Sequence, residues 1–405
     1  MTRAMSIHAL CQLIDGCDVL SLDVFDTALL RRVGEPVDVF ALVAREYRHR
    51  RGGALVPFDF AARRIAAERR AREDVWARHQ RGDVTLDEIY AALDAPAGWD
   101  AAELKSLELA AERALCAQNP YVHAAYRHAQ RRGKRIVFVS DMYLPPEFIA
   151  GMLRDGGYDQ VELFVSSACG GVCKWDGALY RHVAAALGVA PARMLHLGDN
   201  PLSDVVMALR EGVGALLYPR CAQLAAQAGA EPGGDEPAAA VYRGLVRNRL
   251  FAHRGFDALG FWYRFGYRVM GILFAGVGRD AADVAAAFGG DAVVAALLAL
   301  GESDPRAQRM HEGAREFLAD LDGVRAAFPW LAVDARTAAA PMRHVLERPT
   351  AEEAHELGEL PSALVRPPRW LEAFQDPRRA LGGYRRSLWR AGFRARLLRH
   401  SLALS

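Results

Sequence analysis

Five short apolar runs constrain this chain more than any other feature in it. "VLSLD" ends at Asp23, "RIVFVSD" reaches Ser140, "LFVSS" reaches Ser166, "MLHLGD" ends at Asp199, and "VGALLYP" at 213–219 closes the series. Between the later runs lie segments with helical spacing, "PPEFIAGMLRDGG" and "DGALYRHVAAALG", each stopped by glycine. Strands alternating with helices of this length predict βαβ units, hence an α/β, Rossmann-like parallel sheet with helices on both faces. In such sheets the working groups stand at the carboxyl ends of the strands. The polar residues that end these runs are in that position.

Residues 36–130 interrupt the alternation. "PVDVFALVAREYRHR", "DFAARRIAAERRAREDVWARHQ", "TLDEIYAAL" and "DAAELKSLELAAERALCAQ" all have helical spacing and almost no strand-like run. Thr85 and Glu88 form a capping box at the start of the third. The expected organisation is an α/β core made of 1–35 and 131–227, with 36–130 as a helical cap lying over the strand ends. The Ala/Gly/Pro-rich stretch "AGAEPGGDEPAAA" makes 228–240 the linker. Beyond it, 241–405 reads as a mostly helical C-terminal domain, with a capping box at Thr350 and Glu353 and Gly358 as a stop. The apolar stretch 258–278 carries Arg264 and Arg268, so it reads as a buried helix and not a membrane span.

Composition narrows the function classes. A net charge of +2 over 405 residues gives no global field for nucleic acid or another polyanion, so no nucleic-acid partner is expected. Six scattered cysteines fit reduced thiols, and the N-terminus has neither the apolar core nor the cleavage site of a signal peptide; both point to the cytoplasm. Cys169 and Cys173 lack a second ligand pair and read as loop residues.

The strand ends supply Asp23, Ser140 and the pair Asp199/Asp204, and the loop "SSACGGVCKWDG" adds Lys174. A carboxylate able to attack, a hydroxyl and a lysine to hold an anion, and further acids for a cation make a set suited to phosphoryl transfer. A carboxylate next to phosphate is repelled unless a divalent cation lies between them, so Asp23 and Asp199 are expected to share Mg2+. His196 lies inside its strand and reads as a core histidine; Asn200 is a further candidate for the metal shell.

"DVFDT", "VFVSD", "CKWDG" and "GDNPLSD" occur in that order, each after a predicted strand. Together they resemble the four motifs of the haloacid dehalogenase superfamily, across residues 19–220. The resemblance implies Asp23 as nucleophile, with Ser140 and Lys174 completing the catalytic set. Ser140, Asp141 and Lys174 become the substrate-binding positions, and Asp23, Phe25, Asp199 and Asp204 the Mg2+ positions. It also implies a small phosphorylated substrate, such as a sugar or polyol phosphate. More narrowly, "LDVFDTALLRR", "SDMYLPP" and "HLGDNPLSD" resemble a subgroup of hydrolases linked to bacterial surface-polysaccharide biosynthesis.

One position departs from the pattern. Two residues after the nucleophile, superfamily phosphatases carry an Asp that protonates the leaving group, and here that residue is Phe25. Such acid/base help is worth roughly 10²–10⁴-fold in rate. Asp26 and Asp141 are the candidates to replace it, although an extended chain would turn Asp26 away from Asp23. Dehalogenating members also lack the Asp, which keeps aspartyl-ester dehalogenation open. So does a catalytically weak module that binds a phosphorylated ligand in polysaccharide assembly. Arg31 and Arg32 either reach an anionic substrate or solvate the hinge to the cap. Finally, 378–399 holds eight Arg and no acid. Its apolar residues fall along one helical side, a pattern for a peripheral membrane or anionic-polymer contact or for a solvated face of its own domain.

Overall fold

The computed structural model describes residues 5–53, 59–221, 237–252, 260–278, 286 and 303–332. All five apolar runs form strands of one parallel sheet. They are β1 (Val19–Leu22), β4 (Arg135–Ser140), β5 (Leu163–Val165), β6 (Met194–Gly198) and β7 (Gly214–Leu217), ordered β5-β4-β1-β6-β7. β1 is therefore central, paired with β4 and β6 so that Leu22 lies opposite Phe138 on one side and Leu197 on the other. Every residue of β1 is buried, which places Asp23, the next residue, at the middle of the carboxyl edge.

Both faces of the sheet are covered, because successive side chains of a strand point to opposite sides. Val137 and Val139 of β4 pack with Leu179, Tyr180 and Val183 of α8 (Ala178–Leu187). Phe138, between them, meets Tyr126 of α6 (Pro120–Arg131), with ring centroids 6.3 Å apart. α6 in turn packs against α1 (Ile7–Asp15).

The helical insertion consists of α2 (Asp38–Arg50), α3 (Phe60–His79), α4 (Leu86–Ala91) and α5 (Ala101–Leu115). The capping box at Thr85 forms, with the Thr85 hydroxyl accepting from the Glu88 amide and the Glu88 carboxylate accepting from the Thr85 amide. Inside the insertion, Arg64 is wholly buried. Its guanidinium donates to both oxygens of Glu108 at 2.9 and 2.7 Å, and Tyr90 donates to the same carboxylate at 2.7 Å. The turn before α4 joins the loops beyond the sheet's carboxyl edge: Leu86 N–H donates to Tyr143 O at 2.9 Å and Gly82 N–H to Gly171 O at 3.1 Å.

Three boundaries differ from those expected. A two-stranded antiparallel ribbon, β2 (Leu29–Arg31) with β3 (Cys116–Gln118), carries the chain into and out of the insertion. Cys116–Gln118 continues a segment with helical spacing and Leu29–Arg31 runs straight into charge, so neither declares itself as a strand in the sequence. The insertion therefore ends before 130, because α6 buries its apolar side on the sheet. Thirdly, the helix Pro237–Ala252 starts inside the expected linker, and residues 240–255 group with the α/β unit and not with a C-terminal domain. Asn248 donates to Arg31 O at 2.6 Å, and Arg247 donates to Gly34 O. Gly244 allows this approach, since a Cβ there would overlap the backbone of Arg32 and Val33.

The described residues of the second unit lie at 237–239, 260–278, 286, 303–325 and 331–332. Its described part is helical, as expected: 260–276, with a π-helical stretch at Gly266–Gly271, and Pro305–Ala327. The two helices meet through Tyr267, which donates to Asp320 at 2.6 Å and sets its ring edge-on to Phe317. Among the described residues no helix is long and apolar enough to cross a membrane. The capping box at Thr350 and Glu353 and the Arg-rich 378–399 lie outside the described residues.

Gly244→Val tests the docking of the 237–252 helix. Forcing a side chain against the backbone just past β2 costs roughly 1–3 kcal/mol, and the denaturant midpoint should fall accordingly. An unchanged midpoint would mean that the close approach contributes nothing to stability.

Candidate active site

Asp23 is presented by the sheet itself. Its amide donates to Leu197 O at 2.9 Å, continuing the β1–β6 ladder one residue past the strand, and its carboxylate is almost wholly buried. Lys174 reaches it from the loop after β5: its ammonium stands 2.6 Å from Asp23 Oδ1 and 2.7 Å from Asp204 Oδ1. All three side chains are at most 7% exposed. Burial works against the lysine's charge, but Asp204 and Asp23 outweigh it and hold the ammonium well above its usual range.

The fourth segment is shaped by Gly198. A Cβ there would come 2.6 Å from the Cβ of Asp204, so only glycine lets the strand end lie against that side chain. Asn200 then caps a π-helical turn, Pro201–Val206, accepting from the amides of Leu202 and Ser203. Both oxygens of Asp204 are engaged, Oδ2 by the Asn200 amide at 2.9 Å and Oδ1 by Lys174 and His196. Burial pushes this carboxyl up, yet Lys174 and His196 hold it far below the usual carboxylate range. Asn200 thus spends its side chain on the cap.

The three acids form a cluster. Asp23, Asp199 and Asp204 each offer an oxygen, all within 4.8 Å of one another. Burial and the neighbouring Asp23 charge push Asp199 up to about 7, against the opposing pull of Arg220, whose Nε donates to it. Asp23 is also raised, by burial first, with Lys174 opposing. An all-oxygen carboxylate set suits a hard divalent cation. Asp23, Asp199 and Asp204 are the residues that would hold it, Asp204 also accepting from Lys174, His196 and the Asn200 amide. Phe25 has only its main chain to offer.

The other residues singled out by sequence fall as follows. Ser140 ends β4, buried beside β1. Asp141 turns toward the Lys174 loop: both its oxygens accept from the Lys174 amide, at 2.8 and 2.9 Å, and one also from the Trp175 amide. Its carboxyl is pushed up to about 6, chiefly by burial. These bonds tie Asp141 to the start of the Lys174 loop. Asp26 adopts a left-handed backbone, φ 58°, and its carboxylate pairs with Arg31 at 3.0 Å. Phe25 is buried, with the Arg31 guanidinium 4.5 Å above its ring. Arg31 is therefore no solvating charge, and Arg32 donates to Ala114 O at 3.1 Å.

His196 is a core histidine with a task. Its Nδ1 lies 2.7 Å from Ser21 Oγ, its Nε2 faces Asp204, and Tyr180 packs edge-on to its ring. Ser21 and His196 are register partners on adjacent strands. Two polar residues at one level of apolar strands were the signal that marks this support. Arg220, just past β7, carried no such signal.

No family model matches the chain, and no curated protein matches it. Among solved structures it is similar to a 2-haloacid dehalogenase from Pseudomonas syringae, at 16% identity and TM-score 0.36, over 55% of this chain and 92% of that one. It is also similar to a HAD-family enzyme from Bacteroides thetaiotaomicron in complex with magnesium and inorganic phosphate, at 10% identity and TM-score 0.35, over 51% and 96%. A third is a HAD-family hydrolase from Deinococcus radiodurans with bound phosphate and sodium, at 16% identity and TM-score 0.31, over 56% and 88%. Likenesses this distant assign no chemistry, which rests on the side chains described above.

Two outcomes follow from the geometry. Gly198→Ala should displace Asp204 and cost at least tenfold in divalent-cation affinity, measured by calorimetry; unchanged affinity would remove Asp204 from the site. Because a proton at about pH 7 competes for Asp199, cation affinity should rise as pH increases from 5.5 toward 7 and level off above it. The proton is bound below that pKa and lost above it, so the slope has this sign only. Affinity that is flat between pH 5.5 and 8.5 would contradict it.

Proposed function

We propose that the protein is a Mg2+-dependent phosphohydrolase or phosphotransferase acting on a small phosphorylated metabolite, with Asp23 as the nucleophile. The observation that carries this is the buried Asp23 carboxylate, with Lys174 at 2.6 Å and two further acids clustered beside it. The resemblance of four ordered sequence segments to the haloacid dehalogenase superfamily supports the same reading. Its narrower link to surface-polysaccharide biosynthesis rests on that sequence resemblance alone.

In this reading an Asp23 oxygen attacks phosphorus and the bond to the leaving oxygen breaks, forming an aspartyl-phosphate. Asp23 and Asp199 would hold Mg2+, which would supply positive charge to offset the repulsion between carboxylate and phosphate. Lys174 places a cation beside the attacked group and keeps Asp23 aligned. Ser140, at the end of β4, is the hydroxyl available to a phosphoryl oxygen. No carboxyl follows Asp23 at the second position, so the departing oxygen takes its proton from water. Water then attacks phosphorus, releasing phosphate and restoring Asp23. Turnover is accordingly expected to be slow for alkoxide leaving groups and faster for those of low pKa.

Phe25 is the one observation favouring a second reading, carbon–halogen hydrolysis through an aspartyl ester, since a halide leaves without a proton. Halide release without added metal would identify it.

The test is a phosphatase screen with and without Mg2+, comparing wild type with Asp23→Asn. Phosphate release should require Mg2+ and fall by at least about 10³-fold in the variant, in line with loss of a nucleophile. Should neither protein release phosphate from a broad panel, the hydrolase reading fails.

A further inference from the structure

One buried acid of the helical insertion bonds outside it. Asp83, in the turn between α3 and α4, is only 3% exposed. Its Oδ1 accepts from the Val84 amide at 2.9 Å and from Arg72 of α3 at 2.7 Å. Arg72 is itself held by Glu68, one turn before it. Asp83 Oδ2 is engaged on the core side, where it accepts from the hydroxyl of Ser166. Ser166 directly follows β5 and is wholly buried. A hydrogen bond to a buried carboxylate is among the strong ones, and breaking it would leave a charged oxygen unmet away from water.

Ser166 passes that link on to the loops of the site. Its hydroxyl oxygen accepts from the Met142 amide at 3.1 Å, and its own amide donates to Ser140 O at 3.0 Å. These two contacts lie on either side of Asp141, whose carboxylate accepts from the Lys174 amide. A second path returns to the insertion: Ser166 O accepts from the Gly171 amide at 2.9 Å, and Gly171 O from the Gly82 amide at 3.1 Å. Glycine is needed there, because a Cβ on Gly171, φ 79°, would lie 2.7 Å from the Cβ of Arg81. The loop from Ser166 to Lys174 is thus held at both ends. The Asp83 charge also reaches Asp141, adding to the burial that raises its carboxyl.

We propose that Asp83 is a positioning residue of the active site. Acting through the Ser166 hydroxyl, it fixes the segment from Ser140 to Met142 and, by way of Asp141, holds the Lys174 ammonium against Asp23. The helical insertion then helps to build the site and does not only cover it. Lys174 Nζ stands 2.6 and 2.7 Å from two carboxylates, and a misplacement of about 1 Å in a positioned group can cost about 10²-fold in rate. What Lys174 does to a substrate rests on the phosphohydrolase reading. Where Lys174 sits does not, so placement and turnover are measured separately.

The chain contains three lysines, Lys105, Lys134 and Lys174, which makes that placement measurable. The full chain is treated with limiting acetic anhydride, and acetylation of each lysine is followed by mass spectrometry. Lys134, at the other end of β4, is the internal reference. In wild type Lys174 should react slowest of the three. Asp83→Ala and Ser166→Ala should each raise the Lys174 rate relative to Lys134 by about tenfold or more. The double variant should exceed Ser166→Ala by no more than about threefold, since both changes break one link. A Lys174-to-Lys134 ratio within about threefold of wild type in both single variants overturns the positioning role, and this includes general loosening that speeds both lysines alike. Effects that multiply in the double variant overturn it too. Alongside, kcat/KM for p-nitrophenyl phosphate in Mg2+ should fall about tenfold or more in each single variant. Turnover by wild type with an unmoved ratio overturns the proposal and leaves the hydrolase reading intact. A raised ratio without turnover by wild type keeps the placement of Lys174 and removes the hydrolase reading. Should Asp83→Ala fail to fold, Ser166→Ala decides by the same limits.

Discussion

The site depends on one ammonium group. Lys174 lies between Asp23 and Asp204 at 2.6 and 2.7 Å, with all three side chains nearly out of solvent. Burial and mutual repulsion push two carboxylates so placed toward the protonated form; Lys174 opposes this at Asp23, which is still raised, and with His196 holds Asp204 low. Removing one member of a buried charge set leaves the others uncompensated, which costs more than the set gains as a whole. The position of Lys174 is correspondingly well secured. Asp141 accepts its amide with both oxygens, while His196, braced by Ser21 on the neighbouring strand, holds Asp204 to face it. Asp199 stands outside this arrangement, paired with Arg220 and raised to about 7, and is the acid whose proton a cation would replace.

A second group of charges sits where the insertion joins the sheet. Charged groups surround the Phe25 ring: Arg31 covers it, Asp26 pairs with Arg31, and Glu112 faces Arg31 across a gap. The left-handed backbone at Asp26 turns its carboxylate toward Arg31, so the acid nearest in sequence to Asp23 is used to hold a cation. Asp26 and Asp141 each also hold another part of the site, Asp26 through Arg31 and Asp141 through the Lys174 amide.

Legibility varied with the range of the interaction. The five sheet strands were readable because each is a short apolar run bounded by polar or turn residues. The insertion was readable because α2–α5 keep helical spacing and the Thr85 cap is local. The ribbon β2–β3 was not, because its strands pair only across 80 or more intervening positions and β3 continues a run with helical spacing. The docking of the 237–252 helix was hidden for a related reason. Its Gly244 signals nothing until the backbone of Arg32 and Val33 is known to lie against it.

By itself the sequence determined the parallel sheet, the helical insertion, and the identity of the groups at the strand ends, because burial patterns and chain order suffice for these. It also exposed Phe25 as the anomaly. Only the tertiary structure decided what each acid does. Asp141 and Asp26 look equivalent to Asp23 along the chain, but a carboxylate's role depends on which donors reach it. Those donors come from distant segments: Lys174 and Trp175 amides for Asp141, the Arg31 guanidinium for Asp26, and the Lys174 ammonium for Asp23. Arg220 and Glu112 entered for the same reason, since charges act through space and their partners cannot be read from spacing along the chain.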